Sequence, residues 1–129
     1  MPVLTHGLTH LALSVDDLDR SVAFYEGAFG MRVVYRLETF IQLQTPDARD
    51  VLVLEKRPDA GKPGGVAHFG FRLVDPVDID LAAESVVAAG GTILSKGEFC
   101  PGAPYLYAAD PDGYEVEVWF EPPMPLDPR

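Results

Sequence analysis

The sequence repeats itself once, and this internal duplication constrains the fold more than any other feature. The segment 8–13 (LTHLAL) aligns with the segment 66–71 (VAHFGF), so that His10 and His68 occupy equivalent positions. A repeated segment indicates one supersecondary unit that is built twice. The 129 residues suffice for one domain but are too few for two independent ones. We therefore expect two similar modules within a single domain.

Each module is predicted to begin with a strand that leads into a helix. In the first module Asp16 and Asp17 are candidate N-caps, and an apolar stripe at helical spacing ends at Gly30. In the second module Asp75 precedes a similar stripe that ends at Gly90. The stripes consist of Leu18, Val22, Tyr25 and Phe29 in the first module and of Ile79, Ala82, Ala83, Val86 and Val87 in the second.

Further β-like runs follow each helix and give the order βαβββ twice. The sequence Asp110-Pro111-Asp112-Gly113 predicts a tight turn between the last two strands. The fold class is therefore α+β. The predicted strands are 32–36, 39–44, 51–56, 92–95, 105–108 and 115–120. The single domain covers residues 1–129, with modules at about 4–57 and 66–121, a Gly/Pro-rich linker at about 58–65 and a Pro-rich tail at 122–129.

Alternation along the strands predicts which side chains share a face. Successive side chains of a strand point to opposite faces of the sheet. If the helices cover the apolar faces, then His10, His68 and Glu117 lie on the open faces of the sheets. Their apolar neighbours, which we expect to face the helices, are Leu11, Leu13, Val15, Phe69, Phe71, Val116 and Val118.

These three polar residues form a ligand set that suits a divalent first-row metal. Two imidazoles and one carboxylate bind such an ion and leave positions for water and substrate. Long-range spacing of this kind says little by itself, and a strand histidine is more often a hydrogen-bonded surface or core residue. The residues alone leave both interpretations open.

The composition excludes several classes of function. The net charge of -10 opposes binding to nucleic acid or to an anionic membrane. No run reaches the roughly 18 to 20 apolar residues of a membrane span, and we expect no signal for export. Cys100 is the single cysteine, so we expect no internal disulfide and a cytoplasmic location.

The segments LTHLALSVDDLDRSVAFYEGAFGMRVV and DPDGYEVEVWFE resemble the glyoxalase/bleomycin resistance/extradiol dioxygenase superfamily, the vicinal oxygen chelate proteins. The resemblance covers nearly the whole chain. It implies that the two βαβββ modules form a cupped mixed sheet around a divalent metal ion (Fe, Mn, Ni, Zn or Mg), often in a homodimer. It also implies that His10, His68 and Glu117 are the metal ligands.

The resemblance leaves open whether Glu55 is a fourth metal ligand. Glyoxalases often have another acidic residue on the last strand of the first module, where Glu55 is the candidate. Aligning Pro58 with Pro122 instead makes Val53 the counterpart of Glu117. Glu55 is thus a possible fourth ligand, a possible general base or a charge at the rim.

The implied function is that of a metal-dependent enzyme whose small substrate chelates the metal through vicinal oxygens. Isomerisation next to a carbonyl would need a base, for which Glu55 or Glu117 would serve, whereas cleavage of a catechol ring would need Fe(II). The alternatives are a metal-free drug-binding protein of the bleomycin resistance type and a module that serves only protein interactions. Tyr105, Tyr107 and Trp119 are expected mainly to pack within the sheet.

Overall fold

The computed structural model describes residues 2–123 and contains two four-stranded sheets, each with one helix packed against it. This architecture confirms the predicted α+β class and the duplicated βαβββ order. Of the predicted Pro-rich tail, residues 124–129 lie outside the described residues. The first module comprises β1 (His10–Val15), α1 (Leu18–Phe29), β2 (Arg32–Leu37), β3 (Phe40–Gln44) and β4 (Val51–Lys56). The second comprises β5 (Phe69–Arg72), α2 (Ile79–Ala88), β6 (Thr92–Glu98), β7 (Pro104–Ala109) and β8 (Glu115–Trp119).

Both sheets have the same strand order. The first strand of each module pairs in parallel with the last, giving β1-β4-β3-β2 and β5-β8-β7-β6, and the other pairs are antiparallel. Leu13 lies beside Leu54 in the first sheet, and Phe71 lies beside Val118 in the second. Because these apolar residues share the face that the helices cover, the opposite face of each sheet stays open.

The first helix has the predicted ends. Oδ1 of Asp17 accepts a hydrogen bond from the backbone N–H of Arg20 at 3.1 Å, and Gly30 ends the helix in the left-handed conformation with φ 66°. The second helix follows a 3-10 turn that begins at Pro76, and Asp75 caps this turn. Within residues 2–123, no helix is long and apolar enough to cross a membrane.

The two modules share one hydrophobic core. The helices pack against each other, and the rings of Phe29 and Phe71 stack with centroids 3.9 Å apart. α1 contributes the fully buried Phe24 and Tyr25, whereas Val86 is the one buried residue of α2. Since apolar burial is the main favourable term in folding, the first helix contributes more to this core than the second.

The turn between β7 and β8 joins the two modules through a buried hydrogen bond. The hydroxyl of Tyr25 donates to Oδ2 of Asp110 at 2.6 Å, and Oδ1 of Asp110 accepts from the backbone N–H groups of Asp112 and Tyr114 at 2.9 Å. Burial raises the pKa of Tyr25 well above its ordinary value, and the charge of Asp110 adds to this effect. Burial also raises the pKa of Asp110, although the bond from Tyr25 acts in the opposite direction.

A second aspartate of the same turn contacts the first turn of α1. Oδ1 of Asp112 pairs with the guanidinium of Arg20 at 3.0 Å, and Oδ2 accepts from the hydroxyl of Ser21 at 3.2 Å. Tyr114 adds a bond from its hydroxyl to the backbone carbonyl of Ser14 at 2.8 Å. The sequence predicted the tight turn correctly, but not its contacts with the other module.

Replacing Tyr25 with phenylalanine is expected to lower the free energy of unfolding by about 1–3 kcal/mol, because the buried carboxylate of Asp110 loses a donor. In the wild type the folded pKa of Tyr25 exceeds the unfolded value, so this stability is present below about pH 10 and is lost as the pH rises through the folded pKa. The Tyr25→Phe variant should lack the part of the stability loss at alkaline pH that comes from ionisation of Tyr25. Urea unfolding at neutral and alkaline pH measures both effects.

Tyr35→Phe is the matched control, because Tyr35 is 52% exposed on β2. Its unfolding free energy should stay close to that of the wild type. Equal stability of Tyr25→Phe and Tyr35→Phe at neutral pH would contradict the role assigned to the buried bond.

Candidate functional site

His68 and Glu117 lie together on the open face of the second sheet. His68 directly precedes β5, and Glu117 is the middle residue of β8. Gly70 and Glu117 are paired in the parallel register, so that all three residues share one face. Nε2 of His68 is 3.4 Å from Oε1 of Glu117, whose side chain is 12% exposed. An imidazole and a carboxylate therefore meet at this position.

His10 occupies the equivalent position at the start of β1 but does not join this pair. Its side chain is exposed and lines a cavity of about 350 Å³ together with Asp50, Met31 and Phe69. Across residues 2–123, no three His, Cys, Asp or Glu side chains converge closely enough to hold a metal ion. The structure thus brings two of the three predicted ligands together within one chain.

The strand register identifies the counterpart of Glu117 in the first module. Val53 pairs with Ala12, as Glu117 pairs with Gly70, and Ala12 and Gly70 are equivalent in the duplication. Val53 is buried at 3% exposure. By position, the counterpart of Glu117 is therefore an apolar residue and not Glu55.

Glu55 lies two residues further along β4. It pairs with Ser14 of β1 and with Phe40 of β3, and its Oε2 is 3.4 Å from Nη1 of Arg57. Glu55 is thus an ion-paired, partly exposed carboxylate on the same face as Val53, in keeping with a charge at the rim.

Aromatic side chains surround the His68 and Glu117 pair. The ring of Tyr107 meets the imidazole of His68 edge to face, with centroids 5.1 Å apart. Desolvation raises the pKa of the Tyr107 hydroxyl, and hydrogen bonding with the carboxylate of Glu117 raises it further. Tyr105 and Trp119, which are cross-strand partners, lie on the same face. The sequence predicted packing roles for these aromatics, and the structure places them half-buried beside the polar pair.

Gly70 is a residue of the site that sequence reasoning did not single out. A Cβ at this position would lie 2.7 Å from Cζ3 of Trp119 and 2.8 Å from the carbonyl oxygen of Glu117. The indole therefore lies directly over the glycine. A glycine inside a strand often marks such a close approach, and this signal was present in the sequence.

Comparisons with known proteins give one consistent family. The model of the Glyoxalase/Bleomycin resistance protein/Dioxygenase superfamily matches residues 7–118. The uncharacterized protein PA2024 of Pseudomonas aeruginosa is 34% identical, over 91% of this chain and 90% of that protein. The lactoylglutathione lyase of Haemophilus influenzae is 30% identical, over 85% of this chain and 89% of that protein. A glyoxalase-related enzyme from Fulvimarina pelagi has a crystal structure that matches with a TM-score of 0.75 at 26% identity, over 97% and 96% of the two chains.

Replacing Gly70 with valine is expected to displace the indole of Trp119 and to destabilise the fold by about 1–3 kcal/mol, the usual cost of overpacking. Trp119 is the single tryptophan of the chain, so its fluorescence spectrum reports the displacement directly. Ser95→Val on the exposed part of β6 is the control and should change neither the spectrum nor the melting temperature appreciably. A wild-type spectrum in Gly70→Val would show that the indole does not depend on the glycine.

Proposed function

Because the chain belongs to the glyoxalase/bleomycin resistance protein/dioxygenase superfamily, we propose that it is a divalent-metal-dependent enzyme acting on a small molecule with vicinal oxygens. The observation that carries this proposal is the pair formed by His68 and Glu117, with 3.4 Å between Nε2 and Oε1. The similarity to the lactoylglutathione lyase of Haemophilus influenzae supports a lyase or isomerase reaction. Ring cleavage of the dioxygenase type is the alternative reaction within the same superfamily.

The donor set fits a divalent ion if two copies of the chain share each site. His68 and Glu117 offer an imidazole nitrogen and a carboxylate oxygen on one open face, and His10 offers a second imidazole at the duplicated position. In our proposal, His10 of one protomer faces His68 and Glu117 of its partner in a homodimer. A site shared in this way accounts for the separation of His10 from the pair within one chain.

Exposed apolar side chains are available for a dimer interface. Contiguous apolar surface on a soluble protein commonly marks an interface. Large apolar residues stay at least half exposed around the cavities between the modules and on the outer strand β2; they are Leu8, Val34, Tyr35, Leu37, Val66 and Leu94.

Three protein ligands suffice for a catalytic centre, because a catalytic metal keeps open positions for substrate. The bound ion would act as a Lewis acid on a substrate oxygen. Once released from the ion, Glu117 would be the carboxylate that accepts a proton, and Tyr107 beside it would hold its orientation through a hydrogen bond. Glu55 remains a second candidate base, although its ion pair with Arg57 competes with that role.

A metal-free binding protein is the alternative function. The observation that favours it is that, in residues 2–123, a third ligand does not approach the His68 and Glu117 pair. In that case the cavities between the modules, each of about 350 Å³, would bind a ligand without catalysing a reaction.

Calorimetric titration with Zn²⁺ and with Mn²⁺ tests the metal site. The wild type is expected to bind one ion per protomer. Binding should be weakened by about 10- to 100-fold in each of the variants His10→Ala, His68→Ala and Glu117→Gln. His6→Ala, at an exposed N-terminal histidine, is the matched control and should bind like the wild type. Failure of the wild type to bind any divalent ion would favour the metal-free alternative.

Mixing two variants that are each impaired in metal binding tests whether the site is shared between two protomers. In an equimolar mixture of His10→Ala and Glu117→Gln that has exchanged subunits, about half of the dimers contain one chain of each variant. Each mixed dimer has one intact and one doubly altered site, so about a quarter of all metal sites should be restored. A site within a single chain would recover nothing on mixing. Glu55→Gln should keep wild-type metal affinity, and a marked loss would make Glu55 a fourth ligand.

A further inference from the structure

Two cavities lie along the boundary between β1 and β5, and the internal duplication relates them to each other. Each has a volume of about 350 Å³, and both are lined by Leu11 and by its counterpart Phe69. The offset between the two modules brings the two linings into register. We call them the His68 cavity and the His10 cavity. Along β1 and β5 the His68 cavity is lined by residues 11–14 and 66–69, and the His10 cavity by residues 8–11 and 69–71.

The linker between the modules covers one side of the His68 cavity. Gly61 and Lys62 line this cavity. The linker lies directly against the turn before β8, because a Cβ at Gly61 would collide with the backbone oxygen of Asp112. It ends at Gly65, which has a left-handed φ of 93°. The His68 cavity is therefore covered by the chain that leads into β5.

The segment that leads into β1 begins in the same way but does not cover the His10 cavity. Gly7 is the counterpart of Gly65 and has a similar left-handed φ of 87°. Residues 2–6, which we call the N-terminal arm, correspond to part of the linker. None of these five residues lines the His10 cavity, whose rim they reach only through Leu8. One cavity of the related pair thus lacks the cover that the other one has.

The arm differs from the linker in the way that the two cavities differ. Lys62 and Glu115 both line the His68 cavity and carry opposite charges. Their counterparts are Leu4 in the arm and Val51 in the wall of the His10 cavity. An apolar pair thus replaces a charged pair, and the apolar member in the arm is fully exposed.

The remaining wall of the His10 cavity suits an apolar cover. Removal of Leu4 and of Val3, which is 83% exposed, from water would be favourable. The arm is long enough to cross the cavity, because five extended residues span up to about 17 Å. The apolar side chains of the wall are Leu8, Leu11, Met31, Leu52, Phe69 and Phe71.

We propose that the N-terminal arm is a lid that folds back onto its own chain and covers the His10 cavity, with Leu4 packed against Val51. The structure shows the open state of this lid. His68 lines a covered cavity and still meets Glu117, so a closed arm leaves His10 able to bind an ion while it excludes water from the cavity. The inference goes beyond the proposed function, since closure of the arm requires no metal.

The duplication also identifies the contact that the closed arm makes at its other end. Gly61 lies against Asp112, and the counterpart of Gly61 is Val3. Ala48 stands as many residues before β4 as Asp112 stands before β8. In the closed state Val3 therefore lies beside Ala48, in the loop between β3 and β4.

Disulfide trapping in the full-length chain tests the closed state. Cys100→Ser removes the native thiol, and Val3→Cys with Ala48→Cys introduces two new ones. The control pair is Val3→Cys with Ser95→Cys, because Ser95 lies on β6 at the edge of the second sheet away from β5. We expect the first pair to form an intrachain disulfide at least about tenfold faster, since a disulfide needs Cα atoms within about 7 Å. Peptide mass spectrometry identifies the link.

Variants of Leu4 show whether its side chain holds the arm closed. In the chain that carries Val3→Cys and Ala48→Cys, Leu4→Ser should slow disulfide formation about tenfold, because the leucine burial is lost. Leu4→Met keeps an apolar side chain of similar volume and should stay within about threefold. Leu4 is fully exposed in the open state, so neither change should impair folding.

Three results would overturn the inference. The first is an equal rate of disulfide formation in the two cysteine pairs, and the second is a rate that Leu4→Ser leaves unchanged. The third is a disulfide between two chains, seen as a dimer on a non-reducing gel, because the arm would then cover the cavity of a second copy. None of these measurements involves a metal ion, so their outcome is independent of the proposed metal site.

Discussion

The buried hydrogen bond from Tyr25 to Asp110 ties the second sheet to the helix of the first module. It is 2.6 Å long, fully buried and spans 85 residues of sequence. Because Asp110 and Asp112 belong to the turn that begins β8, the bond ties the strand of Glu117 to the helix of the first module. A contact on the buried side of the sheet thus helps to hold the strand that carries Glu117.

Local sequence patterns were sufficient to predict the order of strands and helices, whereas the arrangement of the two modules came from the family resemblance. Alternation in β1, β5 and β8 assigned the apolar residues to the helix-covered faces, and the buried Val116 and Val118 confirm this for the last strand. The caps at Asp17 and Gly30 confirm the limits of α1. Such signals extend over a few residues, so a single sequence contains them in full.

Features that depend on long-range geometry could not be predicted from the sequence. The Asp-Pro-Asp-Gly turn predicts a hairpin, but nothing in its spacing points to Tyr25. The choice between Val53 and Glu55 required the hydrogen-bond register of β4, because two offsets fitted the sequence equally well. Alternation could place His10, His68 and Glu117 on open faces, whereas only coordinates could show which of them meet within one chain.

Duplication has left the two sheets alike in fold but unlike in chemistry. Opposite Ala12 stands the apolar Val53, while opposite Gly70 stands Glu117 amid aromatic rings. In the proposed dimer, a molecule between two such faces would meet an imidazole beside the apolar Val53 on one side and an imidazole, a carboxylate and aromatic rings on the other. A cavity formed in this way would have unequal walls, and a substrate bound in it would be held in one direction only.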